Sequence, residues 1–249
     1  MDERRKWSRD ELLVAFSLYC RLPFGQFDQR NAEVRRVAAA LGRTPGALAM
    51  RLSNFASLDP IQQARGIRGL SSTGPGLQAF WDQVHADWNR TAVETELAWQ
   101  RLPGAEPAFP MPARESEATR EVRVRLVQGF FRQTVLASYE DRCAVCGIRP
   151  GALLTASHII PWAENEQRRA DPTNGLCLCA LHDRAFDRGL IALDEGLRVL
   201  VSSRLKLADP TPVHREALLA IEGDELQRPS RFAPDEAALA WHRERLFVA

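Results

Sequence analysis

The sequence predicts an α+β protein in two parts: a helical N-terminal domain, and a C-terminal domain built on a small core of two strands and a helix. Three observations predict it. Apolar residues recur at helical spacing in several capped segments before residue 100. Residues 102–118 then carry Pro103, Pro107, Pro110 and Pro112, a composition that favours an extended spacer. At Cys143 the chain changes character, and short apolar runs alternate with Cys, His and Asp. We therefore expect a helical domain over 1–100, a linker over 101–120 and a second domain over 121–249.

The first helix starts at Ser8, with Glu11 three residues on as the second half of a capping box. It continues through Leu12, Leu13, Ala15, Phe16, Leu18 and Tyr19 and stops at Leu22-Pro23-Phe24-Gly25. Asn31 caps a second helix with an apolar face of Val34, Val37, Ala38 and Leu41, ended by Gly42. Thr44-Pro45 opens a third, a capping residue followed by proline at the first helical position. Helix, tight glycine turn, helix is the signature of a helix-turn-helix. The stretch Leu41-Gly42-Arg43-Thr44-Pro45-Gly46-Ala47-Leu48 resembles the turn of Myb/SANT-like DNA-binding domains, which implies that Arg43, Arg51 and Asn54 lie at or on the helix that meets the duplex. The alternative is a helical bundle used for dimerisation or packing. Residues 59–76, broken by several glycines and prolines, read as loop, and 77–99 as helix. An amphipathic helix follows over 122–139, flanked by Arg123, Arg125 and Arg132.

Composition bounds the function classes. The chain has 249 residues, 45% hydrophobic and 26% charged, which excludes a disordered or collagen-like protein. No apolar run approaches the ~18 residues of a bilayer span, and the N-terminus lacks a signal-peptide core, so no membrane role and a cytoplasmic location are expected. In that compartment five cysteines read as metal ligands or buried thiols. The net charge of +1 conceals two basic blocks, +5 over 1–68 and +2 over 122–188, separated by a segment of −4. Of 33 basic residues only Lys6 and Lys206 are lysine. Arginine forks suit phosphates, although a GC-rich genome produces the same bias.

The chemistry lies in 143–191. Cys143-x2-Cys146 is a metal knuckle, and Cys179-x2-His182 supplies a second pair about thirty residues on, enough to close a tetrahedral Zn²⁺ site. Cys177 lacks the knuckle spacing and reads as a buried strand residue, and Cys20 as helix core. His158 ends a short apolar run from Leu153, and Asn174-Gly175 turns into a second strand. On the helix expected over 180–188, Asp183 and Asp187 are four apart and share a face, a hard-cation site for Mg²⁺ or Mn²⁺. Strand, loop, strand, helix, with His on the first strand and oxygen ligands on the helix, outlines a ββα-metal site. A hairpin near Glu195-Gly196 and a closing helix over 234–247 complete the chain. His85, His214 and His242 read as surface or packing residues.

These motifs, Ser157-His158-Ile159, Pro161-Trp162, Asn174-Gly175-Leu176 and Phe186-Asp187-Arg188-Gly189-Leu190-Ile191, resemble the nuclease core of the HNH endonuclease family over residues 142–191. The branch found in bacterial restriction endonucleases is the most similar. The resemblance implies a metal-dependent endonuclease acting on double-stranded DNA, in restriction or phage defence. It implies His158 as general base, Asn174 as the residue holding the inter-strand loop, and structural zinc at Cys143, Cys146, Cys179 and His182. The third family position falls on either His182 or Asp183. Counting back from Phe186-Asp187 selects Asp183, leaving His182 to the zinc, whereas residue type selects His182. Where many members have Asp or His before the base, this chain has Ser157, a weaker ligand. Arg149, Arg168, Arg169, Arg184 and Arg188 are candidates for the DNA backbone, each with a solvated surface charge as its alternative. One such site cuts one strand at a time, which suggests a homodimer. Two other readings compete: a non-catalytic zinc-finger DNA-binding protein, and a nuclease whose N-terminal domain binds a protein partner.

Overall fold

The computed structural model describes residues 5–66, 74–103, 117–207 and 209–249. The chain divides into two compact units, Met1–Gln133 and Thr134–Ala249. The first contains helices α1 (Arg9–Arg21), α2 (Ala32–Ala40), α3 (Pro45–Ala56), α4 (Pro60–Ala64), α5 (Gly74–Ala86) and α6 (Trp88–Gln100), and most of α7 (Glu117–Ser138). Most of the stretch expected as a linker, 104–116, lies outside the described residues, and α7 begins before that stretch ends.

The first three helices start where the capping residues put them. The Ser8 hydroxyl accepts from the Glu11 amide while Glu11 accepts from the Ser8 amide. Asn31 accepts from the amides of Glu33 and Val34, and Thr44 from that of Ala47. Each such cap stabilises its helix by about 1 kcal/mol. The turn between α2 and α3 is a Schellman motif. Gly42 takes φ +61°, its amide donates to Ala39, and the Arg43 amide donates to Ala38.

Two segments differ from their expected form. Residues 77–99 form two helices, because Asp87 adopts φ −148° and its side chain caps the Arg90 amide, restarting the helix. Within 59–76, Asp59 caps the short α4 and accepts a buried hydrogen bond of 2.8 Å from the Tyr19 hydroxyl. The core of this unit centres on Phe16, fully buried, with the rings of Tyr19, Phe55, Phe80, Trp81, His85 and Trp88 within about 6 Å of it or of one another. His85 thus has a packing place, its Nδ1 2.7 Å from the Trp81 carbonyl.

In the second unit, β1 (Leu154–His158) pairs antiparallel with β2 (Gly175–Cys179), in a register that sets Leu154 against Cys179 and His158 against Gly175. α8 (Ala180–Asp187) leaves β2 directly and packs on both strands. A second hairpin, β3 (Ile191–Leu193) and β4 (Val199–Val201), follows, as the tail pattern predicts. Next come α9 (Pro212–His214), which continues as a π turn over Arg215–Leu219, and α10 (Glu236–Arg245). α10 is tied to α8 through His242, which stacks on Phe186 at 3.7 Å between ring centres and donates from Nε2 to the Phe186 carbonyl at 3.0 Å. Gly189, at φ +62°, is where the C-terminal segment crosses closest. A Cβ there would lie 1.8 Å from the Leu246 carbonyl oxygen, so only glycine fits.

Candidate active site and metal centre

The first knuckle forms because Gly147, at φ +74°, lets the chain turn back. Its amide donates to the Cys143 carbonyl at 2.8 Å, and the Cys143 amide donates to Ile148 at 2.9 Å. The Ala144 amide then donates to the Cys177 carbonyl, pinning the knuckle to β2. Cys179 is the N-cap residue of α8, so His182, three positions on, returns to the same face. The result is one compact group. Sulfur and imidazole ligand atoms of Cys143, Cys146, Cys179 and His182 all lie within 4.8 Å of one another. Cys143 Sγ and Cys179 Sγ stand 3.5 and 3.2 Å from His182 Nδ1, and Cys146 Sγ stands 3.9 Å from Cys179 Sγ. Ligand–ligand edges of about 3.5–3.8 Å are what a tetrahedron with Zn–S of ~2.3 Å and Zn–N of ~2.0 Å requires. His182 Nε2 donates to the Ala217 carbonyl at 2.9 Å, which leaves Nδ1 as the nitrogen with a lone pair toward the sulfurs. The donor set fits zinc.

The electrostatics agree. Burial opposes the Cys143 thiolate, but the neighbouring His182 imidazole and hydrogen bonds from the amides of Cys146, Cys179 and Val145 overcome it and bring the thiol down to about 6. Cys146 goes the other way. Burial and the two neighbouring sulfurs push it up to about 12, since thiolates crowded together repel. A divalent cation removes that repulsion.

His158 stands at the end of β1, half-buried, where strand pairing stops. Its Nε2 lies 3.0 Å from the Arg169 carbonyl. A carbonyl only accepts, so Nε2 carries the hydrogen and Nδ1 the lone pair. Burial pulls the imidazole below its ordinary value, partly opposed by that carbonyl. The ring also packs edge-on against Trp162, 5.6 Å between centres at 83°. The loop 159–174 is stapled by Asn174, which is almost fully buried. Its Oδ1 accepts from the Ile160 amide at 2.9 Å and its Nδ2 donates to the Ile160 carbonyl at 3.1 Å, while its own carbonyl accepts from Ile159 at 2.9 Å.

On α8, Asp183 is half-buried and Asp187 exposed. Desolvation raises the Asp183 carboxyl, against opposing effects of the Ser157 hydroxyl and Arg184. Ser157 lies close enough to act there but makes no hydrogen bond of ordinary geometry. Desolvation and the Asp183 charge raise Asp187. Carboxylates held in this way gain from a cation, and their oxygens suit a hard one. Among the described residues, Cys143, Cys146, Cys179 and His182 are the compact ligand group, and the two aspartates do not join a third ligand of that kind. A cation held by them would keep water or substrate oxygens on its remaining positions.

The arginines named from the sequence take different places. Arg43 is turned inward, its guanidinium on Glu11 and on the carbonyls of Arg5 and Lys6 and stacked over Trp7. Arg51 stacks over the same ring, partly desolvated, and Asn54 is half-buried. Arg168 bonds Asp171, Thr173 and Asp235, a clip between the loop and the residue that caps α10. Arg169 bonds the Trp162 carbonyl and Glu166. Arg149, Arg184 and Arg188 are exposed. The sequence reading missed Asp235. Its signal was the helix start Pro234-Asp235-Glu236.

Residues 143–194 match the HNH endonuclease family. No curated protein matches the chain. Among solved structures, a "Modification dependent TagI restriction endonuclease" aligns at 22% identity with a TM-score of 0.32, over 47% of this chain and 37% of that one. The alignment thus spans little more than a third of that protein. With its ββα geometry and its Cys3His group, the segment 143–194 of this chain is an HNH endonuclease domain.

Proposed function

We propose that the protein is a metal-dependent endonuclease that hydrolyses phosphodiester bonds in double-stranded DNA. The observation that carries the proposal is His158, placed at a strand end within the HNH domain, its Nε2–H donated to a backbone carbonyl and its Nδ1 left as the basic nitrogen. In this reading Nδ1 takes a proton from the water that attacks phosphorus in line, and burial keeps the ring neutral and ready to accept it. Asn174 holds the loop that carries the acceptor of His158. Asp183 and Asp187 would hold a divalent ion, Mg²⁺ or Mn²⁺, which when bound would supply charge stabilisation to the reacting phosphate. Cleavage leaves 5′-phosphate and 3′-hydroxyl ends. Cys143, Cys146, Cys179 and His182 hold a structural zinc. Because those thiolates need a reducing compartment, we place the activity in the cytoplasm.

The N-terminal helices serve target binding in this proposal, with α3 as the helix that meets DNA. Support comes from the α2–turn–α3 geometry and from the absence of any acidic residue on α3. Arg43 acts there through the fold, and the backbone contacts of the second unit fall to Arg149, Arg184 and Arg188. Restriction or phage defence is the setting that fits a DNA-binding and a cutting module in one chain, and a homodimer is the assembly that cuts both strands.

The test is a cleavage assay of wild type and His158→Ala on unmodified and cytosine-modified plasmid, with Mg²⁺, with Mn²⁺ and with EDTA. Metal-dependent nicking or linearisation by wild type alone supports the reading, and full-rate cutting by His158→Ala removes His158 as base.

A further inference from the structure

Resting on the reading of His158 as base, we propose that Arg169 is a positioning residue. Its side chain clamps the loop between β1 and β2, so that its own carbonyl oxygen and the Trp162 indole hold the His158 ring in one tautomer and one aim.

The geometry is a closed triangle. Strand β1 fixes the Cα–Cβ direction of His158 but not the rotation of its ring. Rotation is set by a partner on Nε2, the Arg169 carbonyl at 3.0 Å, and by a wall beside the ring, the Trp162 indole at 5.6 Å. Both belong to one loop, and the backbone alone holds the acceptor weakly. The turn Glu166–Arg168 that precedes it closes on Arg169 with an amide-to-carbonyl distance of 3.4 Å. The guanidinium supplies the missing restraint. Its Nε donates to the Trp162 carbonyl at 3.1 Å, Nη1 donates to Glu166 at 3.0 Å, and its plane lies 4.8 Å over the Trp162 ring. One side chain therefore locks both members of the base's surroundings to each other.

This assignment departs from a backbone-phosphate role for Arg169. The side chain is 24% exposed and its donors are aimed into the loop. Arg184 on α8 and Arg188 just past its end, by contrast, are exposed. Lysine separates the two roles. It keeps the charge a phosphate contact needs, but it lacks the fork and the flat face that the clamp uses.

The experiment uses the full chain with Arg169→Lys and Arg169→Met. Cleavage kinetics are measured with saturating metal, and histidine side-chain ¹⁵N spectra are recorded, with the His158 signals assigned by their loss in His158→Gln. A clamp predicts that both Arg169 variants lose about ten- to a hundredfold in kcat, the cost of an ångström-scale misplacement, with KM within about twofold. It also predicts that His158, an Nε2–H tautomer in wild type, becomes a mixture in both. Wild-type kcat in Arg169→Lys with a raised KM in Arg169→Met would assign a phosphate contact and overturn the proposal. An unchanged tautomer in both Arg169 variants overturns it as well. If wild-type protein cuts no DNA, the endonuclease reading fails, and the tautomer comparison still decides the clamp.

Discussion

Replacing Asn174 by alanine removes both hydrogen bonds that its side chain makes to Ile160, at 2.9 and 3.1 Å, in a buried place. An orphaned buried donor or acceptor costs about 1–3 kcal/mol, so the Ile160 amide and carbonyl together cost roughly 2–6 kcal/mol. The 3.4 Å contact to the Arg168 carbonyl is too long to add much. For a unit of this size the loss lowers the melting temperature of the HNH transition by about 10–20 °C. Asn174→Asp sharpens the test. It keeps an acceptor for the Ile160 amide but sets a carboxylate against the Ile160 carbonyl, so at pH 7 it is at least as unstable as the alanine variant. Burial against a carbonyl raises that carboxyl above its unfolded value. The stability carried by its protonated form is therefore present at low pH and lost as pH rises through the folded value. Melting of the three proteins between pH 5 and pH 8, by calorimetry, checks this, with cleavage measured well below each transition. A wild-type melting temperature for Asn174→Asp at pH 7 would refute the reasoning, because nothing then depends on the amide's donor.

Two further predictions follow from the same domain. Cys143→Ser lowers bound zinc below one per chain, by elemental analysis, and lowers the melting temperature with it. If zinc contributes only ~3 kcal/mol of the roughly 10–16 typical of such sites, the drop is about 10 °C, and a variant that keeps its zinc removes Cys143 from the group. The rate of cleavage at saturating metal falls on acidification as His158 gains its proton. Because burial lowers that imidazole, the acid limb lies below the pH of an ordinary histidine, and a limb at or above pH 6.5 contradicts it.

The Cys3His group was legible because its two halves are local motifs. A Cys-x2-Cys turn around a left-handed glycine, and a Cys-x2-His at a helix start, need no knowledge of the rest of the fold. That His182, and not Asp183, joins the three cysteines follows from helix phase. With Cys179 at the N-cap, position 182 returns to the sulfurs while 183 is turned away by about 100°. Helix starts were legible where Ser8, Asn31 and Thr44 cap them. The break at Asp87 was hidden because apolar residues continue on both sides and only their phase resets. Least legible were the arginines. Arg43, Arg168 and Arg169 have the composition of phosphate ligands, yet each fork is spent on carboxylates or carbonyls of its own unit. A sequence shows that a side chain can bind an anion, not that a carboxylate 32 or 67 positions away is the anion.

That internal use of arginine has a physical reason in the size of the core. β1 and β2 are five residues each and α8 eight, too little to fix a side chain at a strand end by apolar packing alone. Polar staples replace it. The Cys3His group joins the chain before β1 to the start of α8. Asn174 joins the two limbs of the loop, and Arg168 joins that loop to Asp235 at the start of α10. His242 joins α10 back to Phe186 on α8. The elements that carry His158, Asp183 and Asp187 are thus cross-linked by polar groups. Damage should therefore sort by staple. Zinc loss acts first on stability, loss of Asn174 on stability and rate together, and loss of the Arg169 clamp on rate, because only there does the staple end on the atom that orients the base.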